Sequence, residues 1–94
     1  MEQTYIGLVH KEPDSDYGVS FPDLPGCITA GGTLEEAREM AAEALALHLE
    51  GMARSGMDIP TPSSADAIVA HPDAGDAIAL LVVNALAEQL VAEN

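Results

Sequence analysis

Apolar and polar positions alternate in the first third of the chain in a way that predicts three short strands. Residues 4–10, TYIGLVH, place apolar side chains on both faces of an extended segment. Residues 17–21, YGVSF, are apolar at every second position, and residues 27–31, CITAG, form a third short stretch. The turn-rich sequence KEPDSD separates the first two segments, so an antiparallel hairpin is expected there.

Two prolines interrupt the chain between the second and third predicted strands, within the PDLPG segment of residues 22–26. Pro22 and Pro25 have no N–H to donate, so this segment must end or kink the second strand. The prolines fix the turn, Gly26 permits a tight backbone, and Leu24 is expected to pack into the core. An architectural role is therefore predicted, with a direct partner contact by Asp23 as a secondary alternative.

The sequence TLEE at residues 33–36 marks the start of a long helix. The Thr33 hydroxyl can accept a hydrogen bond from a backbone N–H, while Glu36 reaches back to the Thr33 N–H, which together form a capping box. Helical spacing of apolar residues then continues through Leu34, Ala37, Ala41, Leu45, His48 or Leu49, and Met52. Gly56 is the expected stop.

The last third of the chain predicts a linker, a short helix and one further strand. Residues 57–63, MDIPTPS, contain two prolines, which predicts a linker. Either Ser63 or Ser64 can then cap a short helix that ends near residue 71. Residues 77–83, AIALLVV, form a short uninterrupted apolar run. This run predicts a strand buried on both faces, and a buried helix is the alternative.

These elements combine into one two-layer α+β domain over residues 1–83, in the order β-β-β-α-(short α)-β. An antiparallel meander is expected to pack on the long helix. Residues 84–94 are predicted to form a short C-terminal helical tail, with Asn84 as its cap. The hairpin edge, the last strand and the face of Leu86 and Leu90 could each pair with a copy, so a homo-oligomer, dimer or tetramer, is expected.

The net charge is the bulk property that says most about the binding partners of this chain. The 94 residues include sixteen acidic and three basic side chains, for a net charge of −13. Such a chain repels phosphate, so direct nucleic-acid binding is not expected. A basic partner would be attracted, more strongly at low salt. The alternative is that the acidity serves only solubility or a high-salt host.

Cysteine content and hydropathy indicate the compartment. The single cysteine, Cys27, cannot form an internal disulfide, so a reducing cytoplasm is expected. The chain begins without the basic and apolar regions of a signal peptide. No apolar run approaches the length of a membrane span, so no membrane association is expected.

Residues 17–45 resemble the signature of the HicB family of antitoxins. That signature is a Tyr/Phe-x-Val-x-Phe-Pro-Asp-Leu-Pro-Gly-Cys segment followed by a Gly-Thr/Asp-x-x-Glu-Ala helix start. The matching residues here are Tyr17, Val19, Phe21, Pro22, Asp23, Leu24, Pro25, Gly26, Cys27, Gly32, Thr33, Glu36 and Ala37.

The resemblance implies a partial ribonuclease-H-like fold and an antitoxin of a type II toxin–antitoxin pair. Its partner would be a small basic HicA-like toxin that cleaves RNA. Many family members carry a C-terminal DNA-binding domain, but only eleven residues without Lys or Arg follow Val83, so that domain is not expected here. The alternative function is a stand-alone oligomeric scaffold or ligand-binding domain with no toxin.

Acidic side chains are the candidates for toxin binding, because they can mimic the charge of RNA phosphates. They are Asp14, Asp16, Asp23, Glu35, Glu36 and Glu39. The remaining motif residues are expected to be structural. They are Tyr17, Phe21, Pro22, Leu24, Pro25, Gly26, Cys27, Gly32 and Thr33.

Neither catalysis nor a cofactor is expected. A ribonuclease-H-like site needs several carboxylates around Mg²⁺, and neither residues 4–10 nor residues 77–83 contain one. The three histidines, His10, His48 and His71, fall in separate elements without ligand spacing. Cys27 is expected to be a small buried residue without a reactive role. The sequence therefore predicts a non-enzymatic protein without a metal site.

Overall fold

The computed structural model describes residues 2–86. The elements in chain order are β1 (Glu2–Lys11), β2 (Tyr17–Ser20), β3 (Ile28–Gly31), α1 (Leu34–Arg54), α2 (Ala65–Val69), a 3₁₀ turn (Pro72–Asp76) and β4 (Ala79–Leu86). The four strands form one antiparallel sheet in the order β3-β2-β1-β4. The predicted two-layer α+β architecture is confirmed, and the 3₁₀ turn is an element that the sequence did not predict.

Helix α1 covers one face of the sheet. Its buried side chains are Ala37, Ala41, Leu45 and Leu49, which repeat every four residues. They meet a sheet surface that includes Tyr5, Val9, Val19, Phe21, Leu81 and Val83. Leu34, predicted to begin the apolar stripe, is exposed, because it lies at the first position of the helix, before the buried repeat begins.

The ends of α1 follow from local sequence. The Thr33 hydroxyl accepts a hydrogen bond from the Glu36 N–H at 3.0 Å, as the capping box predicts. The Glu36 carboxylate, however, accepts from the N–H of Gly32 at 2.7 Å rather than from that of Thr33. At the other end Gly56 has a φ of +73°, the left-handed conformation that glycine adopts most readily after a helix.

The last strand differs from its prediction in both burial and length. Leu81 and Val83 are buried beneath α1, but Leu80 is 41% and Val82 60% exposed, so the prediction of a strand buried on both faces is wrong. The reason is position: β4 is an edge strand, and the long helix covers only one face of the sheet.

Strand β4 also continues past the predicted domain boundary at residue 83. Asn84–Leu86 pair with β1 and therefore belong to the sheet rather than to a helical tail capped by Asn84. Residues 87–94, which hold the rest of the predicted tail, lie outside the described residues.

The face of the sheet opposite α1, here called the outer face, is partly covered by the short helix α2. Ile68 of α2 packs on Ile6 and Leu8 of β1. Ser64 accepts a hydrogen bond from the Ala67 N–H at 3.2 Å and so caps α2, which settles the choice between Ser63 and Ser64.

Between residues 2 and 86, no helix has the length and apolar character needed to cross a membrane.

Candidate functional site

The PDLPG segment forms a compact double turn at one end of the sheet. The Leu24 N–H donates to the Phe21 carbonyl, and the Cys27 N–H donates to the Leu24 carbonyl, both at 2.9 Å. Gly26 has a φ of +92°, which a residue with a Cβ rarely adopts. The hydrogen bonds of this turn do not require an N–H from either proline. The Leu24 side chain is buried in the core with Cys27.

Asp23 connects this turn to the linker. Its carboxylate accepts two hydrogen bonds from Ser63, from the backbone N–H at 2.7 Å and from the hydroxyl at 2.6 Å. Three residues earlier the Pro60 carbonyl accepts a hydrogen bond from the Tyr5 hydroxyl. Burial, and secondarily the negative charge of Asp23, raises the pKa of Tyr5 above its ordinary value. These contacts, here called the linker clamp, fasten the linker to the sheet.

The opposite end of the sheet is strongly acidic. The register pairs Lys11 with Tyr17 and Tyr17 with Gly31, which brings the β1–β2 turn and the start of α1 to the same end. The 3₁₀ turn reaches this end as well, because the Ile78 N–H donates to the Val9 carbonyl at 2.7 Å. The exposed acids there, here called the acidic end, are Glu12, Asp14, Asp16, Glu35, Glu36 and Asp76, with Glu39 one turn further along α1.

The six proposed toxin-binding acids therefore separate into two groups. Asp14, Asp16, Glu35, Glu36 and Glu39 belong to the acidic end or its border, whereas Asp23 lies in the linker clamp at the other end. Two of the six already have intramolecular partners, since Asp23 binds Ser63 and Glu36 caps α1. The other four are exposed, and no ion pair within residues 2–86 involves them.

Two histidines have aspartate neighbours that sequence spacing did not reveal. His10 Nδ1 lies 3.2 Å from Asp76 Oδ1, which adds to the acidic end, and His71 Nδ1 accepts from the Asp73 N–H at 3.0 Å. The 3₁₀ turn brings both aspartates into place, and this turn was not predicted. In the part of the chain that the structure describes, no three His, Cys, Asp or Glu residues converge as a metal site would require.

A second surface feature was missed from sequence because its residues come from three separate segments. An open groove of about 920 Å³ lies between the PDLPG segment, the last turns of α1 and the linker. Its lining includes Pro25, Leu47, His48, Met52, Met57 and Pro60. Leu47 and Met57 are both more than half exposed, so the groove is apolar but open to solvent.

Cys27 is buried, and its Sγ lies 3.8 Å from the Ala44 carbonyl oxygen. Burial raises the pKa of the Cys27 thiol, so less thiolate is present at any pH below that pKa.

We expect iodoacetamide at mildly alkaline pH to alkylate the folded protein at least about a hundredfold more slowly than the urea-unfolded protein. Mass spectrometry provides the rates, and a cysteine added at exposed Ser15 (Ser15→Cys) is the accessible control. Equal rates at both positions would contradict the assigned burial.

A protein-family model, described as HicB_like antitoxin of bacterial toxin-antitoxin system, matches residues 5–92. The chain belongs to the HicB-like antitoxin family. The resemblance seen at residues 17–45 is thereby confirmed. The antitoxin HicB 2 of Photorhabdus laumondii is 32% identical to this HicB-like chain over 76 residues, which are 81% of this chain and 55% of that protein.

Solved structures show the same relationship. The Burkholderia pseudomallei antitoxin HicB superposes with a TM-score of 0.78 at 35% identity, covering 96% of this chain and 67% of that one. A chain of a HicA3 and HicB3 toxin–antitoxin complex has a TM-score of 0.71 at 26% identity, covering 86% of this chain and 95% of that one. This HicB-like chain spans about half the length of the curated relatives it matches.

Proposed function

We propose that this HicB-like chain is the antitoxin of a toxin–antitoxin pair and that it neutralises a small basic HicA-like RNA-cleaving toxin by binding it. The observation that supports this most is the family match over residues 5–92, which includes the whole described fold except the first strand's initial residues. A chain of similar fold occurs in a HicA3 and HicB3 toxin–antitoxin complex, which supports a protein toxin as the partner.

Charge supplies the physical basis for this binding. A protein that cleaves RNA must present basic side chains to phosphates, and a strongly acidic surface competes for the same side chains. The acidic end offers exposed carboxylates from three segments, namely the β1–β2 turn, the start of α1 and the 3₁₀ turn. We therefore place toxin docking at the acidic end, with Asp14, Asp16, Glu35 and Glu39 as contact residues.

Asp23 and Glu36 receive different roles in this proposal. Each already accepts hydrogen bonds from its own chain, so binding a toxin would require these carboxylates to serve two partners at once. We assign Glu36 to capping α1 and Asp23 to the linker clamp, and their charges add only to the long-range field. The antitoxin family match supports a non-enzymatic role, and the single cysteine is consistent with a cytoplasmic location.

Salt dependence tests the charge mechanism. We expect the affinity for a HicA-like toxin, inactivated by substitution, to fall at least tenfold between about 50 and about 500 mM NaCl, because salt screens exposed charges beyond a few ångströms. Isothermal titration calorimetry with the HicA-like toxin provides the dissociation constants. Unchanged affinity would rule out phosphate mimicry while leaving the antitoxin function intact.

A matched pair of triple variants locates the docking surface. The variant with Asp14→Asn, Asp16→Asn and Glu35→Gln removes three charges from the acidic end. The control with Glu43→Gln, Asp58→Asn and Asp66→Asn removes three exposed charges elsewhere. At low salt we expect about a tenfold loss for the first and less than about a threefold loss for the second. Failure of the wild-type chain to bind the toxin or to relieve its growth arrest would overturn the proposed function itself.

A further inference from the structure

Gly51 is a helical residue whose small size the described part of the chain does not require. It lies within α1, near the end of the helix at Arg54, and glycine is less favourable in a helix than any residue except proline. A Cβ built on Gly51 would meet no heavy atom within 4 Å beyond its own helix backbone and its chain neighbours. Its φ is not positive, so the backbone does not require glycine either. The residue therefore weakens α1 without a compensating contact among the described residues.

Gly51 forms part of the floor of the open groove between the PDLPG segment, α1 and the linker, here called the α1 groove. Leu47 and Ser55, one helical turn before and after it, line the same groove. A larger side chain at position 51 would stand in the middle of this row and fill the space between the two walls. Glycine thus keeps the surface of α1 accessible to an occupant of the α1 groove.

The shape of the α1 groove suits a helix better than a small molecule. Sites for small molecules enclose most of the ligand, whereas Leu47 and Met57 leave this groove open to solvent. None of its lining residues belongs to a strand, so an added strand has no edge to pair with there, and the lining lacks the Tyr, Phe and Trp that hold proline-rich segments. The floor from Leu47 to Ser55 is about 12 Å long, which matches about two turns of a helix.

The charge around the α1 groove selects a basic occupant. Asp58 lines the groove and is exposed, and Glu43 lies one turn before Leu47 on the same face of α1. Neither carboxylate takes part in an ion pair within residues 2–86, and no lysine or arginine is among the lining residues. Met52 and Met57 supply flexible apolar surface that adapts to different partners. A helix with an apolar face and basic residues beside it is complementary to this surface.

We propose that the α1 groove is a second docking site and that it binds a basic amphipathic helix of a partner protein other than the toxin. The helix places its apolar face over Gly51, between Leu47 and Met57. Its lysines and arginines face Glu43 and Asp58 at the margin of the groove.

The position of the α1 groove makes it independent of the acidic end. Asp23 and Pro60 line the groove and also belong to the linker clamp, at the opposite end of the sheet. Gly51 lies roughly 26 Å along α1 from Leu34, where the helix leaves the acidic end. One chain can therefore hold a toxin at the acidic end and a helix in the groove at the same time. This inference does not rest on the proposed toxin binding.

A fluorescent synthetic peptide tests the proposal on the whole chain. The probe contains only leucine and lysine, about 14 residues in all, with the leucines at helical spacing so that they form one apolar face. Fluorescence anisotropy should give a dissociation constant in the micromolar range. One control peptide has the same composition without a continuous apolar face, and another has glutamate in place of lysine. Both should bind at least about tenfold more weakly than the probe.

Gly51→Leu is the variant that separates binding from folding. We expect at least about a tenfold loss of affinity for the probe, because leucine fills the middle of the α1 groove. The midpoint of urea unfolding should rise, because leucine is favoured over glycine in a helix and nothing obstructs it here. Ala42→Leu adds the same side chain at an exposed position of α1 outside the groove, and it should change the affinity by less than about twofold. A loss of binding in a more stable protein cannot come from unfolding.

Leu47→Lys gives a second measurement that does not depend on position 51. The Leu47 side chain is more than half exposed, so its replacement leaves the core intact. The lysine removes apolar surface from the α1 groove and repels a basic helix, so we expect at least about a tenfold loss of affinity for the probe.

Three outcomes would overturn the proposal. One is a probe that does not bind, or that binds the wild-type chain, Gly51→Leu and Leu47→Lys equally well. Another is displacement of the bound probe by the HicA-like toxin, which would assign the α1 groove to the toxin. The third is a lower mass in sedimentation equilibrium for Gly51→Leu than for the wild-type chain, which would assign the groove to a second copy. A toxin that did not bind at all would remove the proposed function and leave the result with the probe standing.

Discussion

Gly31→Ala should destabilise the fold by about 3 kcal/mol, the upper part of the range for overpacked sites. A Cβ built on Gly31 would lie 2.4 Å from the backbone nitrogen of Ala37 and 2.7 Å from its Cα. These are backbone atoms of α1, so the clash cannot be relieved by rotating a side chain. The helix would have to move away from β3, which would also loosen the contacts of Ala41 and Leu45 behind it.

Urea unfolding followed by circular dichroism measures this loss, and Gly75→Ala is the matched control. No atom lies within 4 Å of a Cβ built on Gly75, and its φ is not positive, so we expect a change below about 0.5 kcal/mol. A small domain has a total stability of only about 5–15 kcal/mol, so the shift in midpoint for Gly31→Ala should be large. Equal stability of the two variants would show that α1 does not approach β3 as closely as described.

Asp23→Ala should lower the free energy of unfolding by about 3 kcal/mol, because each hydrogen bond to a charged acceptor contributes about 1.5–3 kcal/mol and here two are lost together. Both come from Ser63, which lies 40 residues further along the chain. Without the carboxylate, the linker keeps only the Tyr5–Pro60 hydrogen bond of the linker clamp. Urea unfolding again provides the measurement.

Ser63→Ala separates the two bonds in the clamp. It removes the hydroxyl donor but keeps the backbone N–H, so we expect about half the effect of Asp23→Ala. The double variant should be no less stable than Asp23→Ala alone, since the two side chains act through the same contact. If Asp23→Ala instead weakened toxin binding and left unfolding unchanged, Asp23 would be a contact residue and its assignment to the clamp would be wrong.

Local signals in the sequence were sufficient for the elements whose boundaries depend on neighbouring residues. Thr33 and Glu36 mark the start of α1, and Gly56 marks its end, because capping is decided within one helical turn. The PDLPG segment was identified in the same way, from residues whose backbone preferences are strong regardless of surroundings. The family signature spans these two features, which is why it could be recognised from one continuous segment.

Features that depend on the order of strands in the sheet could not be predicted. The run at residues 77–83 has the composition of a fully buried strand, and nothing in it indicates that the strand occupies an edge. The clamp between Asp23 and Ser63 joins positions far apart in sequence, and the hydrogen bond from Tyr5 to Pro60 does the same. The acidic end likewise requires the register, because it gathers side chains from three segments.

The linker clamp also limits the access of proteases to the linker. The linker has no regular secondary structure, and a few side-chain hydrogen bonds and the packing of Ile59 against the core hold it in place. A protease must pull several residues out into an extended shape, and local opening is least costly where few buried contacts are lost. The cellular lifetime of this protein would then depend on how often Asp23 and Tyr5 release the linker, rather than on how often the whole sheet unfolds.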